Sequence, residues 1–204
     1  MENAHTLFHV PRRLTCILGS LRIGNGLPDL TIIRCKSDVR VLSDLTHQQT
    51  LILGYMRAVN RVSAKTLADR LQLRKAVVET SLSGMADKSL IRGDLRSYQI
   101  APRLRDVVDQ IISVEAKCNN WKRAVAQAVR NTVFANLSYV ALPEAQAIRA
   151  RDSLVRQKLG IGIISINSER NAQIYVRARA QTSLLWRYYF DLASEAARSL
   201  NTEQ

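Results

Sequence analysis

The stretch IISVEAKCNNWKRAVAQAV, residues 111–129, sets a carboxylate and an ammonium at alternate positions at the end of an apolar run, with a basic helical pattern directly behind. Read as a strand, it alternates faces, so Ser113, Glu115 and Lys117 share one side and Ile112, Val114 and Ala116 the other. Neighbouring same-face positions lie roughly 6.6 Å apart along a strand. A glutamate so placed can bind a hard divalent cation through oxygen. A lysine beside it can hold or deprotonate a water and steady the charge that builds on phosphorus, which is the equipment of metal-assisted phosphodiester hydrolysis. Such a cation needs a second carboxylate. Asp109 has the right parity but lies roughly 20 Å up the same strand, too far to share an ion. The partner is therefore expected from another strand. Asp29 is the candidate, because it opens DLTIIRC directly after the Gly-rich turn GNGLP and could sit beside the end of the Glu115 strand. Pro28-Asp29 also reads as an ordinary turn-opening pair.

The elements that must position these groups read as α/β. Residues 7–36 (LFHVPRRLTCILGSLRI, GNGLP, DLTIIRC) predict a β-hairpin, in which glycines and Pro28 supply the turn and β-branched residues the pleat. After Pro102, VVDQIISVEAK predicts a strand, NNWKRAVAQAVRNTVFA a helix, LSYVALP a strand, EAQAIRARDSLVRQKLG a helix, and IGIISI and NAQIYVRAR two strands. SLLWRYYFDLASEAARSL predicts a final helix with Leu185, Tyr188, Leu192 and Ala196 on one stripe, suited to an interface or to packing on its own sheet. Strands alternating with single helices imply right-handed crossovers into a mainly parallel core. No GxGxxG follows a strand, which argues against a dinucleotide-binding domain.

Between these parts the period changes to that of helices. THQQTLILGYMRAV has Thr46 and Gln49 at capping-box spacing and Ile52, Tyr55, Met56 and Val59 on one face. Ser63 is placed as the N-cap of SAKTLADRLQL, and Val78, Leu82 and Met85 fall at helical spacing in RKAVVETSLSGMADKSL. IRGDLRSYQIAP then gives two short alternating runs around Gly93-Asp94. Three helices followed by a hairpin, over residues 44–104, resemble the winged helix-turn-helix modules of bacterial regulators. In that geometry the third helix enters the major groove with its N-terminal residues nearest the bases. Arg74, Lys75, Glu79, Thr80 and Ser83 lie off its apolar stripe and would face DNA, while Arg92 and Arg96 in the wing would meet phosphates.

Charge points to the same partner. The 204 residues carry 30 Lys plus Arg against 17 Asp plus Glu, a formal net charge of +13, with a pI near 10.3. A polyanion is the first partner to consider, since neutralising phosphates releases condensed counterions. No stretch reaches the apolar length of a spanning helix, and MENAHTLFHVPRR lacks the apolar segment of a secretory signal, so a cytoplasmic protein with no membrane association is expected. Cys16, Cys35 and Cys118, with His5, His9 and His47, offer no zinc-ligand spacing, and the cysteines are expected to be reduced and structural. Ser113 has no nearby histidine to make it a nucleophile, and Trp121 reads as a core anchor. Lys122, Arg123 and Arg130 read equally as contacts to the DNA backbone and as solvated surface.

Pro28-Asp29, with Glu115-Ala116-Lys117 on a later strand followed by a helix carrying Gln127, resembles the PD-(D/E)xK superfamily of metal-dependent nucleases, which includes restriction endonucleases, Holliday-junction resolvases and repair nucleases. The resemblance covers residues 7–36 and 105 to about 166. It implies that Asp29, Glu115 and the Ala116 carbonyl bind Mg²⁺ or Mn²⁺, that Lys117 assists the water, and that Gln127 supports the site. It also implies that residues 44–104 are an insertion between two core strands, and it leaves Glu2 as the one acid ahead of the hairpin. The expected fold is α/β: a small mixed-sheet, restriction-endonuclease-like core (residues 1–43 and 105–204) flanked by helices, with an inserted winged-helix domain (44–104). The expected activity is Mg²⁺-dependent cleavage of DNA, double-stranded and held by the inserted module, by an enzyme that a homodimer would suit for cutting two strands. A reading of another class is a non-catalytic DNA-binding regulator whose α/β part is a degenerate nuclease fold used for dimerisation. RNA is a third partner that charge alone does not separate from DNA.

Overall fold

The computed structural model describes residues 6–8, 14–24, 26–94, 96–181 and 185–202, the side chains of 154–157 excepted. In chain order the elements are β1 (Leu14–Gly19), β2 (Leu30–Cys35), a 3-10 helix (Ser37–Leu42), α1 (His47–Val59), α2 (Ala64–Leu71), α3 (Lys75–Asp87), β3 (Ile91–Gly93), β4 (Tyr98–Ile100), α4 (Pro102–Arg105), β5 (Val108–Ala116), α5 (Trp121–Asn131), β6 (Leu137–Pro143), α6 (Glu144–Gln157), β7 (Gly162–Ile166), β8 (Ala172–Val176) and α7 (Trp186–Thr202). The architecture is mixed α/β, with a six-stranded sheet and several flanking helices. Two compact units interleave in sequence: Met1–Arg34 with Gln110–Leu184, and Cys35–Asp109 with Leu185–Gln204.

The first unit is built on the sheet, in the order β1-β2-β5-β6-β7-β8. β5–β6 and β6–β7 pair in parallel, each joined by one helix, and β8 runs antiparallel to β7. Alternation along the strands divides the core into two faces. On one face the small residues Ala124 and Ala128 of α5 and Ala147 and Ala150 of α6 let both helices pack close on Val140, Leu142 and Ile163. On the other, Ile112 and Val114 of β5 meet Ile32, Tyr139, Ala141 and Ile164. The expected hairpin differs at its start. Leu7 and Phe8, read as strand, lie in a helical turn and pack on this second face, with the Phe8 ring edge-on to Tyr139 at 5.3 Å between centroids. A strand would send two adjacent apolar residues to opposite faces, whereas a helical turn can bring both to one. His5, Glu2 and residues 9–13 lie outside the described residues.

The second unit is mainly helical, and its local chemistry follows the sequence closely. Thr46 caps α1 in a full capping box with Gln49, and the Ser63 hydroxyl accepts the Thr66 N–H at the start of α2. Val78, Leu82 and Met85 of α3 are buried. β3 and β4 form an antiparallel pair whose turn is held by Asp94, which accepts the N–H groups of Arg96 and Ser97 at 2.8 and 3.2 Å. The C-terminal helix departs from expectation. α7 packs on α1 and the 3-10 helix, and so belongs to this unit and not to the α/β part. Its buried face includes Tyr189, Phe190, Ala193 and Ala197, while Leu185 precedes the helix and is exposed. Of the stripe expected there, Leu192 and Ala196 are buried and Tyr188 is half-buried, whereas Leu185 lies outside the helix. Cys118 is likewise exposed, unlike the buried Cys16 and Cys35. Among the described residues, no helix is long and apolar enough to cross a membrane.

Two helical glycines in this unit are expected to respond oppositely to the same change. A Cβ on Gly54 would stand 2.7 Å from the Trp186 carbonyl oxygen, whereas one on Gly84 would meet only Gln49 Nε2 at an ordinary 3.7 Å. Gly54→Ala is expected to destabilise by about 1–3 kcal/mol through overpacking, and Gly84→Ala to stabilise by up to about 1 kcal/mol through helix propensity. Denaturant titration of the two variants checks both signs.

Candidate active site

Asp29 stands immediately before β2, the strand next to β5 in the sheet. Its Oδ2 accepts the Ala116 N–H at 2.8 Å and the Lys117 ammonium at 2.9 Å. Asp29, Ala116 and Lys117 are thus brought together from parts far apart in the chain. Lys117 follows the last residue of β5, and its N–H extends the parallel ladder to the Ala141 carbonyl at 3.1 Å. The Lys117 side chain is about one-third exposed and the Asp29 side chain two-fifths, so the pair is partly open to solvent.

The approach to Asp29 is a tight turn. Ile23 and Gly26 exchange two backbone hydrogen bonds of 2.9 Å, with Gly24 at φ +56°. A Cβ on Gly26 would lie 3.1 Å from the Phe134 ring, 3.2 Å from Asn131 Oδ1 and 3.3 Å from the Ile23 carbonyl oxygen. The turn therefore rests directly on Asn131 and Phe134 at the end of α5, and a side chain at Gly26 would press on them.

Glu115 is the buried member of the constellation, at 1% exposure. It faces α5, as does Ser113, whose hydroxyl donates to Ser138 at 2.9 Å while Ser138 in turn donates to the Ala128 carbonyl at 2.7 Å. Glu115 Oε1 accepts Asn131 Nδ2 at 2.8 Å, and Oε2 is buried with no hydrogen-bond partner among the described residues. Burial pushes the carboxyl above the usual glutamate range; the Asn131 hydrogen bond opposes this, the Asp29 charge adds to it, and Lys117 and Arg130 counter it more weakly. Lys117 makes its close ion pair with Asp29, across strands, and acts on Glu115 only at longer range.

Asn131 is the site residue the sequence reading missed. It closes α5 at 2% exposure, and the signal was a polar side chain at inward spacing from Ala124 and Ala128. Gln127 lies one helical turn earlier on the same face, half-buried, with its Oε1 buried and accepting no hydrogen bond. Trp121 opens α5 and packs against the core, as expected of an anchor. Ser113 is a strand residue tied into the sheet.

The residues read as DNA-facing are all exposed. Arg74 sits at the N-cap of α3, Lys75, Thr80 and Ser83 along it, Arg92 on β3 and Arg96 in the following turn. Lys75 is within 3.5 Å of Glu79 on the same helix. Lys122 and Arg123 occupy the exposed first turn of α5, where the Arg123 N–H is capped by Asn120 Oδ1 at 3.2 Å.

Among the described residues, no group of three or more His, Cys, Asp and Glu gathers where it could hold a metal ion. What β2 and β5 do assemble is two carboxylates, Asp29 and Glu115, beside the Ala116 peptide. These are hard oxygen donors, and one of them, Glu115 Oε2, is buried without a hydrogen-bond partner among the described residues. Such a set suits a Mg²⁺-like ion, which takes one or two carboxylates and completes its shell with water and substrate phosphate. No protein-family model, curated protein or solved structure matches the chain.

The raised carboxyl of Glu115 makes the metal-free protein pH-sensitive in a defined direction. A glutamate that holds its proton longer when folded than when unfolded leaves stability highest below its unfolded pKa and lowers it as pH rises through the folded value. Glu115→Gln keeps an acceptor for Asn131 and removes the charge, so its thermal midpoint should exceed that of the wild type at neutral pH and lose this part of the pH dependence. Melting curves between pH 4 and pH 8 on both proteins, in chelator, test this; a midpoint lower than the wild type's at pH 8 would contradict it.

Proposed function

We propose that the protein is a Mg²⁺- or Mn²⁺-dependent DNA endonuclease, with a core of the PD-(D/E)xK, restriction-endonuclease-like kind and a winged helix-turn-helix module that holds duplex DNA. One observation carries this reading: Asp29, entering β2, receives both the backbone and the ammonium of the Ala116-Lys117 step, while the neighbouring Glu115 keeps one buried oxygen without a partner. The order of elements supports it, since β2, which Asp29 leads into, neighbours β5, and β5 leads through a helix to a parallel strand.

In this reading Asp29, Glu115 and the Ala116 carbonyl hold the cation. When bound, it supplies Lewis-acid polarisation of a phosphoryl oxygen and acidifies the attacking water. The chain's own groups do the rest. Lys117, held at the mouth of the site by Asp29, orients the water and offers positive charge to the phosphate as negative charge builds on it. Gln127, with an unpartnered buried oxygen one turn from Asn131, supports the site from α5. Arg74, Lys75, Thr80 and Ser83 on α3, Arg92 and Arg96 beside it, and Lys122 and Arg123 on α5 would grip the backbone and orient the duplex.

The direct test is cleavage of supercoiled plasmid and of linear, branched and single-stranded DNA with Mg²⁺ or Mn²⁺. Lys117→Ala should lower the rate by about 10²–10⁴-fold, and Asp29→Ala and Glu115→Ala should abolish cleavage. A wild type that cuts nothing yet binds DNA with an affinity indifferent to these three changes would favour the non-catalytic regulator. Binding measured against salt gives a separate check: Arg74→Ala and Arg92→Ala should each weaken binding and reduce the slope of log K against log salt by about one.

A further inference from the structure

We infer that Asn131 is a positioning residue that leaves Glu115 a single oxygen for a cation and so makes the site favour Mg²⁺ over Ca²⁺. The inference rests on the metal-dependent reading above and adds to it a determinant of which ion is accepted. Three observations meet at this one side chain. Its Nδ2 donates to Glu115 Oε1 at 2.8 Å, which occupies that oxygen and leaves Oε2 as the one without a partner. Its own main-chain carbonyl accepts the N–H groups of Phe134 and Ala135 at 3.1 and 2.9 Å, so the backbone bearing it is fixed at the end of α5. On its far side, Oδ1 lies 3.2 Å from the point where Gly26 would carry a Cβ, against the turn that leads into Asp29.

The amide is therefore held between the Glu115 carboxylate and the approach to Asp29, at 2% exposure. Its orientation follows from chemistry, because an ionised carboxylate only accepts and must meet the NH₂ end. A glutamate pinned in this way cannot turn both oxygens toward a cation without straining that hydrogen bond, so Oε2 is the oxygen it offers. Mg²⁺ is content with that, since it wants six ligands at short and nearly regular positions and keeps waters for the remainder. Ca²⁺ takes six to eight oxygens at longer distance and gains from a carboxylate that can turn both oxygens toward it. Freeing Oε1 would therefore help Ca²⁺ more than Mg²⁺. A side chain that merely filled space at the end of α5 would change stability and leave the choice of ion alone.

The test is calorimetric titration of the full-length protein with Mg²⁺ and with Ca²⁺ at fixed ionic strength, for the wild type, Asn131→Leu and Gly26→Ala, alongside melting curves of each metal-free protein. Asn131→Leu keeps the volume and removes the donor. The ratio of the Ca²⁺ to the Mg²⁺ dissociation constant should fall by about tenfold or more in this variant, the scale of losing a hydrogen bond to a charged group. Gly26→Ala presses on Asn131 and Phe134 without touching either carboxylate and should move the ratio the same way by less; it carries the test if Asn131→Leu does not fold. A ratio unchanged in the folded variant, or both ions weakened equally, overturns the inference while leaving the metal site standing. A wild type that binds neither ion overturns the metal reading and this inference together.

Discussion

The carboxylate of Asp29 does two things at once: it accepts a backbone N–H from one residue of β5 and the side-chain ammonium of the next. Both donors lie more than eighty residues away in the chain, so this contact exists only once the sheet has placed β2 beside β5. The consequence is a small polar end to an otherwise apolar strand. Behind it, Glu115 is carried inward by the same alternation that sends Ile112 and Val114 to the opposite face. Burying a carboxylate with one oxygen unbonded is costly.

α5 supports this arrangement from its two ends. Asn120 caps its start through the Arg123 N–H, and Trp121 anchors its first turn on the core. Asn131 at its end meets Glu115 directly, and Phe134 and Asn131 together form the surface on which the Gly26 turn rests. The helix sits close enough to do this because Ala124 and Ala128 are among the residues it turns toward the sheet. The second unit follows a different economy. Its first two helices are started by side-chain caps at Thr46 and Ser63, and its β3–β4 ribbon is turned by Asp94, all short-range interactions. Its longer-range closure comes from α7, which crosses α1 where Gly54 leaves room for the Trp186 backbone.

Much of this was legible from the amino-acid order, because it depends on neighbours in the chain. The capping box at Thr46 and Gln49, the cap at Ser63 and the buried Val78, Leu82 and Met85 follow from spacing. So does the inward turn of Glu115 with Ser113, since a period of two fixes which residues share a face. The errors fell where local pattern was ambiguous. Leu7 and Phe8 carry no period long enough to separate strand from turn, and Leu185 looked like the first residue of a stripe that begins later.

What the sequence by itself determined is the kind of each element and the residues it offers: an acid and a lysine at a strand end, a Gly-rich turn before an aspartate, an arginine and a lysine at the start of α3. Only the tertiary structure decided which of them meet. That Lys117 pairs closely with Asp29 and not with Glu115, that Asn131 and not Gln127 bonds the buried carboxylate, and that α7 joins the helical unit are outcomes of packing. The physical reason is that a contact between residues far apart in sequence depends on strand order, register and side-chain volume together, and no local period encodes all three.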